Sequence, residues 1–167
     1  ASQGIAKVKV RPKLRVAFFA TGDELKASGD TLGEGDIYES NMASIAAVLR
    51  YYPIELINLG VVEDTPEAIK ACLAAASDTA DLVISSGGVS VGDYDYVRQC
   101  VDAIGAVSDY KVAMKPGKPV CFGHIDGMEN GKALFFGLPG NAVSSFVVLT
   151  ELYLPAMKFF LNRERVI

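Results

Sequence analysis

The chain has 167 residues, of which 50% are hydrophobic and 22% are charged, and this composition excludes a disordered or fibrous chain. Its formal net charge of −4 argues against a general nucleic-acid-binding surface, which needs clustered basic residues. Three widely spaced cysteines and one histidine argue against a disulfide framework, a zinc site and a conventional Ser-His-Asp triad, and they suit buried thiols in a reducing cytoplasm.

The N-terminal segment carries basic residues at alternating positions, namely Lys7, Lys9, Arg11, Lys13 and Arg15. This pattern is typical of an edge strand or a linker, and a nucleic-acid-binding arm is the less favoured alternative. We interpret residues 1–13 as a connection from a preceding domain and residues 14–167 as the domain itself. Because the first residue is Ala and not Met, we expect the chain to be part of a longer protein.

Strands and helices alternate along the first part of the domain. A continuous apolar run predicts a buried strand at Leu14–Ala20, and further strands are predicted at Ile54–Val62 and Leu82–Ser86. Apolar residues at helical spacing predict helices over about 40–52, from Thr65-Pro66 onward, and over about 97–104. The Gly- and Asp-rich stretch that ends near Asp36 is predicted to be a loop.

From about residue 107 onward, the predicted elements no longer alternate between strand and helix. Strands are predicted at Val107–Ala113, Pro119–Phe122 and Ala133–Gly137, followed by a long helix from about Asn141. Polar and proline residues interrupt that helix, which therefore suits a core better than a membrane. The order of elements predicts an α/β fold, a three-layer α/β/α sandwich with a mostly parallel sheet and an antiparallel edge.

Polar and glycine residues follow several of the predicted strands: Thr21–Glu24, Asp64, residues 87–95 and Leu138–Asn141. In sheets of this kind, ligands bind beyond the carboxyl ends of the strands. We therefore expect these four segments to converge on one site.

The stretch SSGGVSVGDYDYV at 85–97 is rich in glycine and serine. Gly87, Gly88 and Gly92 allow close approach of the backbone, and with Ser90 they predict a nest of amides for a phosphate. The spacing begins like a P-loop, but Asp93 and Tyr94 stand where a P-loop has Lys and Ser or Thr.

Acidic residues accompany this glycine loop. Glu24, Asp64, Asp93 and Asp95 are each typical of a helix cap or a surface when taken singly, and one of Asp93 and Asp95 is expected to cap the following helix. Beside a phosphate, however, such carboxylates need a bridging cation, and Mg²⁺ joins one or two carboxylates to substrate phosphates. We predict a divalent-cation site, Mg²⁺ being the expected ion, with Asp64 and Asp95 as ligands.

A second anion site is predicted from the last third of the chain. Two prolines and a glycine in KPGKP at 115–119 fix a bend that presents Lys115 and Lys118 together, as suits a small dianion. GLPGN at 137–141 opens the last helix, whose N-terminal amides together with Ser144 favour an anion.

Five motifs in order resemble the molybdopterin molybdenumtransferase family, which includes the gephyrin E domain: TGDEL at 21–25, EDTP at 63–66, SSGGVSVGDYDY at 85–96, KPGKP at 115–119 and GLPGNAVS at 137–144. The resemblance implies a molybdopterin-binding α/β/α domain. It also implies a reaction in which adenylylated molybdopterin and molybdate give molybdenum cofactor and AMP with a divalent cation. One departure is Ala142, where the family usually has proline.

The resemblance also implies roles for individual residues. Glu24, Asp64 and Asp95 match the functional, catalytic acids, and Lys115, Lys118 and Ser144 match positions associated with molybdate. The residues implied to bind the substrate are Thr21, Gly87, Gly88, Ser90, Gly92, Gly140 and Asn141.

Family members are longer than this chain and act as dimers in which other domains complete the cleft. The expected partners are thus a small-molecule substrate, other domains of the same chain and a second copy, without nucleic acid or membrane. Two alternatives stay open: a molybdopterin adenylyltransferase, whose motifs read TGGTG and PGQ, and a noncatalytic scaffold of the gephyrin kind.

Overall fold

A computed structural model of the chain describes residues 2–88, 95–127 and 132–161. The strands in these residues are β1 (Leu14–Thr21), β2 (Leu25–Lys26), β3 (Ile37–Tyr38), β4 (Ile54–Val62), β5 (Leu82–Ser86), β6 (Gly105–Lys111), β7 (Pro119–Asp126) and β8 (Lys132–Leu138). The helices are α1 (Asn41–Leu49), α2 (Pro66–Thr79), α3 (Tyr96–Ile104), α4 (Ala142–Val148) and α5 (Leu154–Leu161), with a π-helical turn at Leu149–Tyr153 between the last two.

Six of the strands form one sheet in the order β4-β1-β5-β8-β7-β6. The pairs β1–β4, β1–β5 and β5–β8 are parallel, whereas β7 runs antiparallel to both β8 and β6. The predicted fold class, a mostly parallel sheet with an antiparallel edge, is confirmed.

Helices cover both faces of the sheet, as the packing of the β1 side chains shows. Val16, Phe18 and Ala20 pack on one face with α1, the C-terminal helices and their neighbours, while Ala17 and Phe19 pack on the other face with α2 and α3. All five side chains are at most 1% exposed. A strand buried on both sides reads as an unbroken apolar run, because successive side chains point to opposite faces.

The predicted boundaries of β4 and β5 match the structure, and four other predictions need correction. Strand β6 begins at Gly105 and ends at Lys111, two residues earlier at each end than predicted, because its pairing with β7 runs from Gly105 to Lys111. The stretch predicted as a loop contains β2 and β3, which pair in parallel as a separate two-stranded sheet. Helix α1 is shorter than predicted and ends at Leu49. Strand β7 continues to Asp126, because its pairing with β8 extends beyond the Phe122 where the apolar alternation ends.

The C-terminal helical stretch, Ala142–Leu161, is long and apolar enough to cross a membrane by length and composition alone, a test that core helices also pass. One face of it packs on the sheet, where Val148, Leu149 and Met157 are at most 1% exposed. This packing agrees with the core helix predicted from the sequence.

Candidate functional site

A cavity of about 420 Å³ lies at the carboxyl end of the parallel strands. Four described segments that follow β1, β4, β5 and β8 contribute to its wall, as the sequence predicted they would. The lining residues in chain order are Thr21, Gly22, Glu24, Leu25, Ile37, Asn41, Asp64, Ser86, Gly87, Gly88, Asp95, Pro119, Pro139 and Gly140.

A hydrogen bond joins the ends of β1 and β4 at this cavity. The Thr21 hydroxyl, which is buried, donates to Oδ1 of Asp64 over 3.0 Å. Asp64 is half-buried and stands just before the cap of α2, where Thr65 Oγ1 accepts from the Ala68 amide. The aspartate is therefore oriented by Thr21 and is not itself the cap of the helix.

The glycine turn after β5 is tightly packed. Gly87 and Gly88 have φ values of +86° and +63°, which side-chain-bearing residues rarely adopt. A Cβ on Gly87 would collide with the Thr21 carbonyl oxygen, and one on Gly88 would collide with Val97. The Gly87 amide donates to the Leu138 carbonyl over 3.1 Å, so it is already paired and does not take part in the predicted nest.

The rest of the predicted phosphate loop lies outside the described residues, including Ser90, Gly92, Asp93 and Tyr94. The structure thus places the two ends of this loop, Gly88 and Asp95, in the wall of the same cavity.

Asp95 is the N-cap of α3 and is 5% exposed. Its Oδ1 accepts from the Arg98 amide over 3.0 Å, whereas its buried Oδ2 has no hydrogen-bond partner among the residues that the structure describes. Burial raises the pKa of this carboxyl to about 6, and the negative charges of Asp109 and Asp64 act in the same direction. An unpaired buried carboxylate oxygen is costly, and a cation would relieve that cost.

Asp64 and Asp95 fit a divalent cation such as Mg²⁺ by their chemistry. Both residues line the cavity, and Asp64 is close enough to Asp95 for its negative charge to help raise the pKa of Asp95. Among the described residues no group of three or more His, Cys, Asp or Glu side chains could hold a metal. Two carboxylates suffice for Mg²⁺, which completes its octahedron with water and phosphate oxygens.

Asn41, the first residue of α1, was not singled out from the sequence. Its buried amide nitrogen donates to Ser86 Oγ over 2.6 Å and to the Gly140 carbonyl over 2.9 Å. It therefore ties the end of β5 to the loop after β8. The sequence carried no signal for this role, because both partners of Asn41 are distant along the chain.

The KPGKP bend lies beside the start of α4. Lys115 and Lys118 are exposed and do not line the cavity, although Pro119 does. Gly117 is buried, and a Cβ there would lie 2.8 Å from Val148 Cγ2 and 3.6 Å from the Ser144 carbonyl oxygen. The bend and Ser144 are thus neighbours, at the rim of the site rather than in it.

The N-terminus of α4 is capped within the chain. Asn141 Oδ1 accepts from both the amide and the hydroxyl of Ser144, over 3.1 Å and 3.2 Å. An anion bound at this helix start would have to displace or share these hydrogen bonds.

The charged side chains that line the cavity, in the part of the chain that the structure describes, are Glu24, Asp64 and Asp95. All three are acidic. An anion can bind here only through backbone amides, a bound cation or lysines that reach in from the rim.

Residues 17–158 match the family model described as a probable molybdopterin binding domain. A molybdopterin molybdenumtransferase from Haemophilus influenzae is 41% identical over 155 residues, which are 93% of this chain and 37% of that protein. A molybdopterin biosynthesis moeA protein from Pyrococcus horikoshii superposes with a TM-score of 0.75 at 32% identity, covering 91% of this chain and 36% of that one.

A third similarity shows the fold alone. The molybdopterin biosynthesis enzyme MoaB from Thermus thermophilus superposes with a TM-score of 0.66 at 19% identity, covering 90% of this chain and 98% of that one. By contrast, the chain spans 37% of the length of the Haemophilus relative.

Proposed function

The chain belongs to the family of probable molybdopterin binding domains, and from this premise we propose that it is the molybdopterin-binding domain of a molybdopterin molybdenumtransferase. Such an enzyme inserts molybdate into adenylylated molybdopterin and releases AMP. The observation that carries the proposal is the cavity itself, where Thr21, Asp64, Gly88 and Gly140 come together from four of the five motifs.

Because the charged side chains in the described cavity wall are all acidic, a phosphate bound there needs a source of positive charge. We assign the substrate phosphates to Gly88 and the loop that follows it, with Ser90 and Gly92 in that loop. Asp64 and Asp95 would hold Mg²⁺, which supplies the positive charge that phosphate needs beside carboxylates. Thr21 fixes the Asp64 carboxylate through its hydrogen bond.

Molybdate is assigned to the rim, where Lys115, Lys118 and Ser144 come from neighbouring segments. Two exposed ammonium groups attract a dianion without making the acidic cavity itself positive. Molybdate would thus approach the substrate from the side of Pro119, which belongs to both the bend and the cavity wall.

We further propose that other domains of a longer chain and a second copy complete the cleft, and that the protein works in the cytoplasm. The similarity to MoaB shows the fold and carries no argument for adenylyl transfer. No feature of the described residues favours a scaffold role.

The decisive experiment mixes a full-length protein, in which the other domains complete the cleft, with adenylylated molybdopterin and molybdate and measures AMP release with and without Mg²⁺. We expect release that depends on both molybdate and Mg²⁺ and that falls in Asp64→Asn. Binding of adenylylated molybdopterin to this chain is measured in parallel, because the proposal assigns substrate binding to this domain. A protein that does not bind it would disprove the proposal.

A further inference from the structure

One wall of the cavity is formed by residues 22–38, which we call the flap. Its lining residues are Gly22, Glu24, Leu25 and Ile37. The glycine turn, by contrast, gives the cavity backbone and little side chain. Among the described lining residues, the flap supplies both branched aliphatic side chains, Leu25 and Ile37.

The flap is held in a defined conformation by its own hydrogen bonds. The Ile37 amide donates to the Glu24 carbonyl over 2.7 Å, which pairs β3 with β2. The Tyr38 hydroxyl donates to the Asp30 carbonyl over 2.9 Å, and Asp36 accepts from the Gly33 amide over 2.8 Å. Leu25 and Ile37 are register partners, so their side chains form one apolar surface.

Only one of the two side chains that form this apolar surface packs on the hydrophobic core. Leu25 packs on the hydrophobic core, but Ile37 is 54% exposed and belongs to neither core cluster. Ile37 also lines the cavity, where a branched apolar side chain is suited to the face of a flat ring.

The Glu24 carboxylate lies next to this surface and is unpaired. Both of its oxygens lie over Gly22, within 3.1 Å of the position a Cβ would occupy there. Within residues 2–88, 95–127 and 132–161 no side chain or amide hydrogen-bonds to it, whereas Asp64 is bound by Thr21. A carboxylate only accepts hydrogen bonds, so Glu24 offers two acceptor oxygens to a ligand with donors.

We propose that the flap recognises the pterin ring of molybdopterin, an inference that rests on the proposed function and adds a specific subsite to it. Leu25 and Ile37 contact the face of the ring. Glu24 accepts from the ring N–H and the neighbouring exocyclic amino group, which form a parallel pair of donors. Adenine has no such pair, since its amino group is flanked by acceptor nitrogens, so the subsite takes the pterin and not the adenine.

Two fluorescent probes test this chemistry directly. Hydroxymethylpterin monophosphate joins the pterin ring to a phosphate, and its lumazine counterpart has a carbonyl in place of the exocyclic amino group. We expect the unmodified chain to bind the pterin probe roughly tenfold more tightly, as one hydrogen bond to a charged group provides. Glu24→Gln presents one donor and one acceptor, so it should lose or reverse that preference. Glu34→Gln, on the same loop but outside the cavity wall, should retain it.

The apolar contact is tested separately with Ile37→Ser, which should weaken both probes to a similar extent, by roughly fivefold. Leu32→Ser is the control, because Leu32 is also an exposed apolar residue of the flap but does not line the cavity. It should leave the affinity for both probes unchanged. Because Ile37 is exposed, the variant should fold, and its thermal unfolding is measured alongside.

Three outcomes would overturn the inference. Equal binding of the two probes by the unmodified chain, or an unchanged preference in Glu24→Gln, would remove Glu24 from ring recognition while leaving the proposed function standing. Loss of AMP binding in Glu24→Gln with the pterin preference intact would assign the flap to adenine. Failure of the unmodified chain to bind either probe or adenylylated molybdopterin would contradict the proposed function together with the subsite.

Discussion

Thr21 and Asp64 are joined by a 3.0 Å hydrogen bond across 43 residues of sequence, and this bond sets the direction of a carboxylate that faces the cavity. Replacing Thr21 with Val removes the donor and keeps the shape. We expect a loss of about 1 kcal/mol in the free energy of unfolding by urea, the usual net worth of such a bond. Mg²⁺ binding should also weaken, because Asp64 is no longer oriented.

Thr79→Val is the matched control, since Thr79 makes a hydroxyl hydrogen bond at the exposed end of α2, which leads into the amino end of β5, whereas the cavity lies at the carboxyl end of that strand. It should leave Mg²⁺ binding unchanged. An equal effect of both variants on Mg²⁺ binding would show that the Thr21 bond has no special connection to the metal.

The second prediction concerns the cation itself. Asp64→Asn and Asp95→Asn should each weaken Mg²⁺ binding in calorimetric titration, by roughly tenfold or more, because each removes one of two charged ligands. The fold should be retained, since Asn keeps an oxygen for the Arg98 amide at position 95. Asp30→Asn, an exposed change on the flap, serves as the control. Titrations that do not distinguish the three variants would place the metal elsewhere.

The third prediction uses the pKa of Asp95, which burial raises to about 6. An unfolded aspartate titrates near pH 4, so the folded state holds this proton more tightly than the unfolded state. The resulting stabilisation is complete below about pH 4 and is lost as the pH rises through about 6.

Asp95→Asn isolates this effect, because asparagine does not titrate. With a chelator present, the variant should be more stable than the unmodified chain at pH 7, by up to about 3 kcal/mol, and the difference should vanish below about pH 4. Added Mg²⁺ should stabilise the unmodified chain at neutral pH and not the variant. A difference that does not change with pH would mean that Asp95 is not buried in the way described.

Much of the fold could be predicted because strands that pack in the core are recognisable in the sequence as runs of apolar residues. Strand β5 is buried at all five positions in the sheet interior, and its apolar residues gave its bounds, whereas β4 is an edge strand with no buried residue and was found from its apolar residues between Pro53 and Asp64. Strands β2 and β3 have two residues each, too short for any periodicity, and they are held by the hydrogen bonds from the Ile37 amide to the Glu24 carbonyl and from the Glu39 amide to the Lys26 carbonyl. That pairing is a tertiary event with no local signal.

The site was predictable to the extent that it follows the strands. Thr21, Asp64 and Gly140 come directly after apolar runs, and a parallel sheet brings such positions to one edge. The role of Asn41 was not predictable, because its two partners, Ser86 and Gly140, are distant in sequence. The two lysines were predicted from charge and proline alone, and only the packing of Gly117 on α4 places them at the rim.

The fourth prediction compares alanine substitutions at two glycines. One should destabilise the fold through backbone strain, and the other should hinder the ligand without affecting the fold. Gly88→Ala should destabilise the chain by roughly 1–3 kcal/mol, because its φ of +63° disfavours a side chain and the new methyl meets Val97. At Gly140 a Cβ meets only Gly87 Cα, at an ordinary 3.8 Å. Gly140→Ala should therefore fold normally, yet it should weaken the binding of adenylylated molybdopterin, because the methyl enters the cavity. Unchanged affinity in Gly140→Ala would show that the substrate does not approach this loop.

The last prediction concerns molybdate and the exposed lysines of the KPGKP bend. Molybdate is a dianion, and each ammonium group should add a hydrogen bond to a charged group, worth about 1–3 kcal/mol. Lys115→Ala and Lys118→Ala should each raise the molybdate concentration needed for AMP release by roughly tenfold. Both lysines are exposed, so neither change should reduce stability.

The control for this charge is Lys70→Ala, an exposed lysine on α2, which packs on the opposite face of the sheet from α4. It should leave the dependence on molybdate unchanged, and tungstate should compete with molybdate in the unmodified protein but less well in the two variants. Affinity for adenylylated molybdopterin should stay nearly constant, because its phosphates are assigned to the glycine turn and not to the bend. Variants that lost adenylylated molybdopterin and kept their molybdate dependence would assign the KPGKP bend to the pterin substrate, and the division of the site into a phosphate turn and a molybdate rim would be wrong.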